Sequence, residues 1–269
     1  MSDTSQAPVS AQLALLLRSF RVAGFAENYP LVSDQAEKAS LSYEGFLYEL
    51  AKIEAEERRE RRIQRLLHQS RLPPDKTLDS FNLARVPSVS ARLVARLCEG
   101  SFLDQAENVL AFGNPGTGKS HLLCGIAREL VRRGRSVLNV PAFALVQRLL
   151  AAKRDLRLPE ELKRLDRFEC LLIDDLGYVQ HQREEMDVLF TLFAERYERR
   201  SVLITSNLVF SKWDQIFKDP MTTTAAIDRL VHHAHILELN VESYRAEEAQ
   251  GRKRANKTKK GGKGEGQAL

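Results

Sequence analysis

The stretch Gly113-Asn114-Pro115-Gly116-Thr117-Gly118-Lys119-Ser120 constrains what this chain can fold into more than any other. Its three glycines have the spacing of a phosphate-binding loop, in which the backbone curls until several N–H groups point inward at phosphate oxygens. Lys119 then supplies a point charge for the β- and γ-phosphates, and the Ser120 hydroxyl a ligand for Mg²⁺. The flanks agree with the motif. Val109-Leu110-Ala111-Phe112 is a short apolar run suited to a buried strand, and Leu122, Leu123, Ile126, Ala127, Leu130 and Val131 recur behind the loop at helical spacing. Strand, glycine loop and helix N-terminus together make an anion site, because first-turn N–H groups and the helix dipole both favour phosphate. Gly113 to His121 are therefore the candidate contacts for ATP, with Mg²⁺ as its partner ion.

From Phe81 onward, apolar runs alternate with helical segments. Strands are predicted at about 109–112, 136–140, 170–174, 202–205 and 235–239. Five short apolar strands separated by helices imply an α/β domain: a five-stranded parallel sheet with helices on both faces. Ligands of such sheets collect at the C-terminal ends of the strands. Three motifs fall there. Cys170-Leu171-Leu172-Ile173-Asp174-Asp175 carries the chain through the sheet and delivers two carboxylates at its edge, the arrangement of a Walker B element. Asp174 suits Mg²⁺, held through its water shell, and Asp175 suits orienting or deprotonating a water. The plainer alternative is a pair of strand-end aspartates capping the next turn. Val202 to Asn207 is an apolar strand ending in an amide that could hold the water or touch the γ-phosphate, although Asn also favours turns. Asp228-Arg229-Leu230 offers an arginine that could act on a neighbouring subunit's phosphoryl group or simply pair with a local carboxylate.

Residues 1–78 form a helical module of a different kind. Leu13, Leu16, Leu17 and Phe20 share a stripe that ends near Gly24, and a second helix is predicted from an N-cap at Ser42 through Phe46, Leu50 and Ile53 to Leu67. Its middle, Glu54 to Arg62, is charged on every side, which predicts a solvated stretch laced with i,i+4 ion pairs or a surface for a partner protein or DNA backbone. Arg71-Leu72-Pro73-Pro74 closes the module, and the turn-rich residues up to Ser80 are expected to be a linker. The nucleotide-binding domain is then 79–245, and 246–269 a basic tail. The net charge of +5 is a property of that tail: from Gly251 onward seven Lys or Arg face one Glu, which leaves residues 1–250 at −1. With almost no apolar residues the tail is expected to be disordered, either a solubilising end or an arm for phosphates.

The three cysteines, Cys98, Cys124 and Cys170, stand apart in apolar context and suit reduced core thiols. His232, His233 and His235 lie close in sequence, but no cysteine or carboxylate stands near them at metal-ligand spacing. No run approaches the roughly 20 apolar residues of a spanning helix, and the N-terminus lacks a secretory pattern, so no membrane association and a cytoplasmic location are expected.

Taken in order, GNPGTGKSHLL, LLIDDLGYV, ITSNLVFSKWDQIF and AAIDRLVHH closely resemble the IstB-type transposition helper ATPases, AAA+ proteins near the DnaC helicase loaders and DnaA initiators. The similarity runs to about Arg245 and includes the helical module with its Glu/Arg-rich helix. It implies a helper ATPase of a bacterial insertion sequence, encoded beside a transposase. Such proteins assemble with ATP as a ring or helical filament on duplex DNA, remodel it, and recruit and stimulate the transposase. Carried over by motif, Lys119 and Ser120 bind phosphates and Mg²⁺, Asp174 coordinates the metal and Asp175 activates water. Asn207 resembles sensor 1, and Arg229 an arginine finger. Phe143 to Arg167, with seven Lys or Arg against four acids, lies where related initiators and loaders face nucleic acid. Two departures stand out. Asp175 replaces the family's Glu, one methylene longer, which implies slow hydrolysis until a partner tightens the site. About 30 residues follow the last strand, which implies a helical lid reduced or absent, with Arg245 as a sensor 2 candidate. The competing reading is a DnaC-like replicative helicase loader acting on single strands. A small-molecule kinase fits less well, for want of an acceptor-site lid.

Overall fold

The computed structural model describes residues 8–177, 183–208, 213, 220–241, 243 and 244. It divides into two compact units, which meet in sequence between Arg65 and Leu66. Arg245 and the tail 246–269 lie outside the described residues, and with them the expectations about sensor 2, the lid and the basic arm.

The first unit contains α1 (Val9–Ser19), α2 (Ala23–Lys38) and most of α3 (Tyr43–Ser70). Ser42 caps α3 as the sequence predicts, its Oγ accepting the Gly45 N–H at 3.1 Å. The intervening α2 is not predicted, because Gly24 and Pro30 both read as helix breakers. Tertiary contact overrides them. Glu54 of α3 reaches the first turn of α2, where its Oε2 accepts the Gly24 N–H at 2.7 Å. That N–H has no intrahelical acceptor, and a carboxylate there also faces the positive end of the helix. A Cβ at Gly24 would stand 2.8 Å from the same carboxylate oxygen, so only glycine admits the approach. Glu54 is consequently only 5% exposed, which corrects the expectation that the charged middle of α3 contributes nothing to a core. The rest of that stretch is the predicted ladder: Arg58 pairs with Glu54 at 2.5 Å and Arg61 with Glu57 at 3.3 Å.

The second unit begins with the last turn of α3. Its sheet is parallel throughout, in the order β2-β3-β4-β1-β5. The strands are β1 (Asn108–Phe112), β2 (Val137–Pro141), β3 (Cys170–Leu176), β4 (Ser201–Ser206) and β5 (Ala234–Glu238). All five fall within two residues of their predicted places. Side chains alternate across the sheet: Val109, Ala111, Leu172 and Leu203 face one apolar cluster, Leu110, Phe112, Ile173 and Ile204 the other. The first cluster is closed by α4 (Ala91–Glu99), α5 (Ser101–Asp104) and α6 (Lys119–Arg132). The second is closed by α7 (Ala142–Arg154), α8 (Leu158–Asp166), α9 (Arg183–Arg196) and α10 (Pro220–Val231). Among the described residues no helix is long and apolar enough to cross a membrane.

The expected linker is instead part of this unit. Arg128 of α6 donates to the Pro73 carbonyl at 2.6 Å, Asn139 of β2 to that of Arg71 at 3.2 Å, and Leu78 lies against Gly125. Leu72, Leu78 and Phe81 pack onto the α4–α6 cluster, apolar residues dispersed among turn formers so that no period betrays them.

At the edge opposite the phosphate loop, Asn108 and Arg196 staple the sheet. Asn108 accepts the Val202 N–H at 2.9 Å and donates to Leu230 O at 3.0 Å. Arg196, 2% exposed, donates to the carbonyls of Leu165, Phe168, Glu169 and Ser201 at 2.9–3.2 Å. Burial pushes its guanidinium down to about 10, so it stays charged at neutral pH and is solvated by carbonyl dipoles. Arg196→Met removes the buried guanidinium donors, although the Leu165 and Glu169 carbonyls keep the backbone N–H groups of Phe168 and Ser201, and should cost roughly 1–3 kcal/mol, read as a fall of several degrees in melting temperature. An unchanged melt would show that the staple carries no weight.

Candidate nucleotide site

The loop leaves β1 at Gly113 and enters α6 at Lys119. Gly116 and Gly118 take φ of 83° and 95°, the left-handed region that glycine enters without strain. Gly113 answers a different demand: the Leu239 carbonyl, just past β5, would lie 2.4 Å from a Cβ there. Lys119 is 5% exposed, and its Nζ donates to the loop's own carbonyls at Gly113 (2.8 Å) and Asn114 (2.9 Å). The buried Thr117 hydroxyl donates to Asn114 O at 3.0 Å and fixes the turn from within. The ammonium is thus held at the concave side of the loop by weak neutral acceptors that a phosphate would outcompete.

The Walker B strand ends in a bulge. Ile173 is in register with Ile204, but Leu176 is in register with Ser206, so β3 carries one extra residue at Asp174–Asp175. Asp175 takes φ of 61° there. The buried Thr205 hydroxyl holds the distortion: it accepts the Asp175 N–H at 2.8 Å and donates to Asp174 Oδ1 at 2.5 Å. One hydroxyl therefore ties both carboxylate residues to β4. Thr205 has no assigned role in the sequence reading, and its signal is a hydroxyl inside an otherwise apolar strand, which must find partners when buried. At the end of β4, Ser206 accepts the Leu208 N–H at 3.1 Å, and the fully buried Trp213 donates to Leu208 O at 3.0 Å, which brackets Asn207.

Lys119, Ser120, His121, Asp175 and Asn207 line one cavity of about 370 Å³. Loop, Walker B carboxylate and strand-end amide thus meet in space, although they are spread over three strands. Asp174 lies behind Asp175, on Thr205. Arg229 is elsewhere, at the far end of α10, its guanidinium 4.8 Å over the Phe190 ring and donating to Ala225 O at 3.3 Å. Among the described residues no carboxylate lies within ion-pair distance of it. His121 serves the loop's neighbour: its ring sits 2.9 Å from Thr77 O and 3.0 Å from Ser80 Oγ, pinning the segment that leads to Phe81.

The other wall was not legible in the motifs. Phe81 lies against Gly118, and Tyr244 donates from its N–H to Gly116 O at 3.0 Å and from its hydroxyl to Asn82 O at 3.2 Å. Arg85 stacks on the Tyr244 ring at 4.0 Å. Phe81 and Tyr244 thus bring two aromatic side chains to the wall of the cavity that holds the phosphate loop.

Parallel sheet, glycine loop and strand-end carboxylates define a P-loop nucleotide-binding protein. Comparison with known proteins narrows this. Residues 15–252 match the family model described as IstB-like ATP binding protein. An insertion-sequence ATP-binding protein of Sinorhizobium fredii is 44% identical over 91% of this chain and 82% of its own length. The insertion sequence IS21 ATP-binding protein of Pseudomonas aeruginosa is 35% identical over 88% of this chain and 89% of its own. The chain belongs to the IstB-like ATP-binding proteins. Its fold is that of AAA+ proteins: AMPPCP-bound DnaA from Aquifex aeolicus superposes with a TM-score of 0.53 at 20% identity, over 64% of this chain and 52% of that one. DnaI superposes with 0.52 at 22% identity, over 63% and 95%.

Two expectations follow. Lys119→Ala removes the charge-assisted bonds to phosphate and should weaken ATP binding at least about tenfold in calorimetry; unchanged affinity would place the nucleotide elsewhere. Burial pushes the thiols of Cys98 up to about 11 and of Cys124 and Cys170 up to about 12. Because thiolate is the reactive form and a raised pKa depletes it below that value, alkylation of the folded chain at pH 8 should run at least about a hundredfold slower than after unfolding, with Cys98 the fastest of the three. Rapid labelling of the native chain would contradict the burial of these three thiols.

Proposed function

We propose that this chain hydrolyses ATP and that it is the helper protein of a bacterial insertion sequence, acting with a transposase partner on duplex DNA. The observation that carries hydrolysis is the shared cavity of Lys119, Ser120, Asp175 and Asn207. Mg²⁺ fits the donors available, the Ser120 hydroxyl and the Asp174 carboxylate, which are hard oxygen ligands of the kind it prefers. Bound with the nucleotide, Mg²⁺ would neutralise charge on the β- and γ-phosphates. Lys119 and the loop N–H groups bind and orient the triphosphate. Asp175, turned by the bulge toward the cavity, takes up or orients the proton of the attacking water, and Asn207 holds that water in line. Thr205 positions both aspartates through one hydroxyl. Asp175 is one methylene shorter than glutamate, so its reach to the water is short and turnover is slow until a partner closes the site.

Arg229 completes the site of a neighbouring copy. Its support is positional: it stands away from its own chain's cavity, cushioned on Phe190 and without a carboxylate partner among the described residues. The homo-oligomer follows from this reading, because an arginine supplied in trans requires a second copy. Duplex DNA is the proposed track. Of the basic residues on α7, α8 and the turns around them, Arg148, Arg157 and Arg164 pair with Glu161 or Glu160 and Lys153 with Asp187, whereas Arg154, Lys163 and Arg167 are exposed with no described carboxylate in ion-pair range. Those three are the candidate backbone-phosphate contacts, which predicts binding that weakens as salt rises. The transposase as partner is inferred from the insertion-sequence setting of the relatives. A helicase-loader role has only fold likeness behind it.

The deciding experiment mixes two inactive variants. Asp175→Asn should bind ATP and lose turnover by about 10²-fold or more, and Arg229→Ala should lose turnover by a comparable factor. Mixed on duplex DNA, the two should recover activity, since each provides the group that the other lacks. Absence of recovery, with both variants folded, would make Arg229 an intramolecular residue.

A further inference from the structure

The turns at the far end of the sheet bring Glu198 beside two adjacent histidines, His232 and His233, that lie far from it in sequence. Glu198 lies in the turn between α9 and β4, with φ of 55°, and His232 and His233 form the turn between α10 and β5. One donor atom from each falls within 4.8 Å of the others. The histidine turn is fixed at the backbone. The His232 N–H donates to Asp228 O at 2.9 Å, and His233 O accepts the Asn108 N–H of β1 at 2.7 Å. The imidazole centroids are 4.0 Å apart, and the Tyr197 hydroxyl lies 3.0 Å from His232 Nδ1. A hydroxyl on one ring nitrogen leaves the other for a metal, as outer partners do for metal-binding histidines. His235 takes no part, since its Nε2 pairs with Glu107 at 2.9 Å.

We propose that Glu198, His232 and His233 form a site for a divalent transition metal of the imidazole-preferring kind, Zn²⁺ first. Two imidazoles and a carboxylate are a donor set that zinc accepts with water in the remaining position. All three side chains are exposed, so small rotations bring their donors to the roughly 2.0–2.2 Å that zinc bonds require. Such an ion clamps the C-terminal end of α10, the helix that carries Arg229, to the end of α9. The guanidiniums of Arg200 and Arg229 line the small cavity beside Glu198 and His233, and their charge moderates the affinity. The three thiols do not compete, because they are buried.

The test uses the full chain without nucleotide or DNA, so its outcome is independent of the ATPase reading. Zn²⁺ titration by calorimetry, with Co²⁺ as a visible-absorption probe of coordination, should show one equivalent bound and a rise in melting temperature. Glu198→Gln and His232→Ala should each weaken binding by at least about tenfold, while His68→Ala, on exposed α3, leaves it unchanged. No uptake by the wild-type chain, or uptake equal in the Glu198 and His232 variants, would overturn the proposal. Should His232→Ala melt below wild type without metal, the comparison rests on Glu198→Gln, which preserves side-chain shape.

Discussion

Everything in the nucleotide-binding unit depends on where β1 sits. It is hydrogen-bonded in parallel to β4 on one edge and β5 on the other, and every residue of it is buried. A strand so placed can release its chain only at the carboxyl edge of the sheet, between two neighbours that end at the same level. The loop 113–118 is what forms when that chain must turn at once into a helix beneath Leu239. The carboxyl end of β3 reaches the same edge through β4, which is why Asp175 and Asn207 open into the cavity of Lys119. The strand order, more than any single residue, assembles the site.

Within that frame Thr205 is the joint. A buried hydroxyl has one proton to give and lone pairs to receive, and here it gives to Asp174 and receives from the Asp175 backbone. The extra residue in β3 turns the second carboxylate into the cavity, while the hydroxyl keeps the first against the sheet. Two adjacent aspartates thereby acquire different surroundings. In the proposed mechanism this difference separates the metal-binding role from the water-directed one.

Much of this could be read from the sequence, and the reasons are physical. A parallel strand covered on both faces is a continuous apolar run, so β1, β3 and β4 announce themselves, and a phosphate loop needs glycine and lysine at fixed spacing. What escaped depends on contacts between distant segments. The helix α2 contains Gly24 and Pro30 and forms because Glu54 completes its first turn, a fact that local propensity cannot contain. The same contact buries a residue from a stretch that looks uniformly solvated. Residues 71–81 look like a linker because Leu72, Leu78 and Phe81 follow no period, yet they seal the sheet and build one wall of the site. Glu198 meets the two histidines only because α9 and α10 end side by side.

The account's central claim is that a nucleoside triphosphate held by residues 113–120 governs how copies of this chain gather on a double helix. Sedimentation of the full chain on duplex DNA with ATP, ADP or AMPPCP tests it most directly. The account predicts large assemblies with ATP and AMPPCP, none with ADP, and dissolution over time with ATP alone. Assemblies of one size whatever the nucleotide would contradict it.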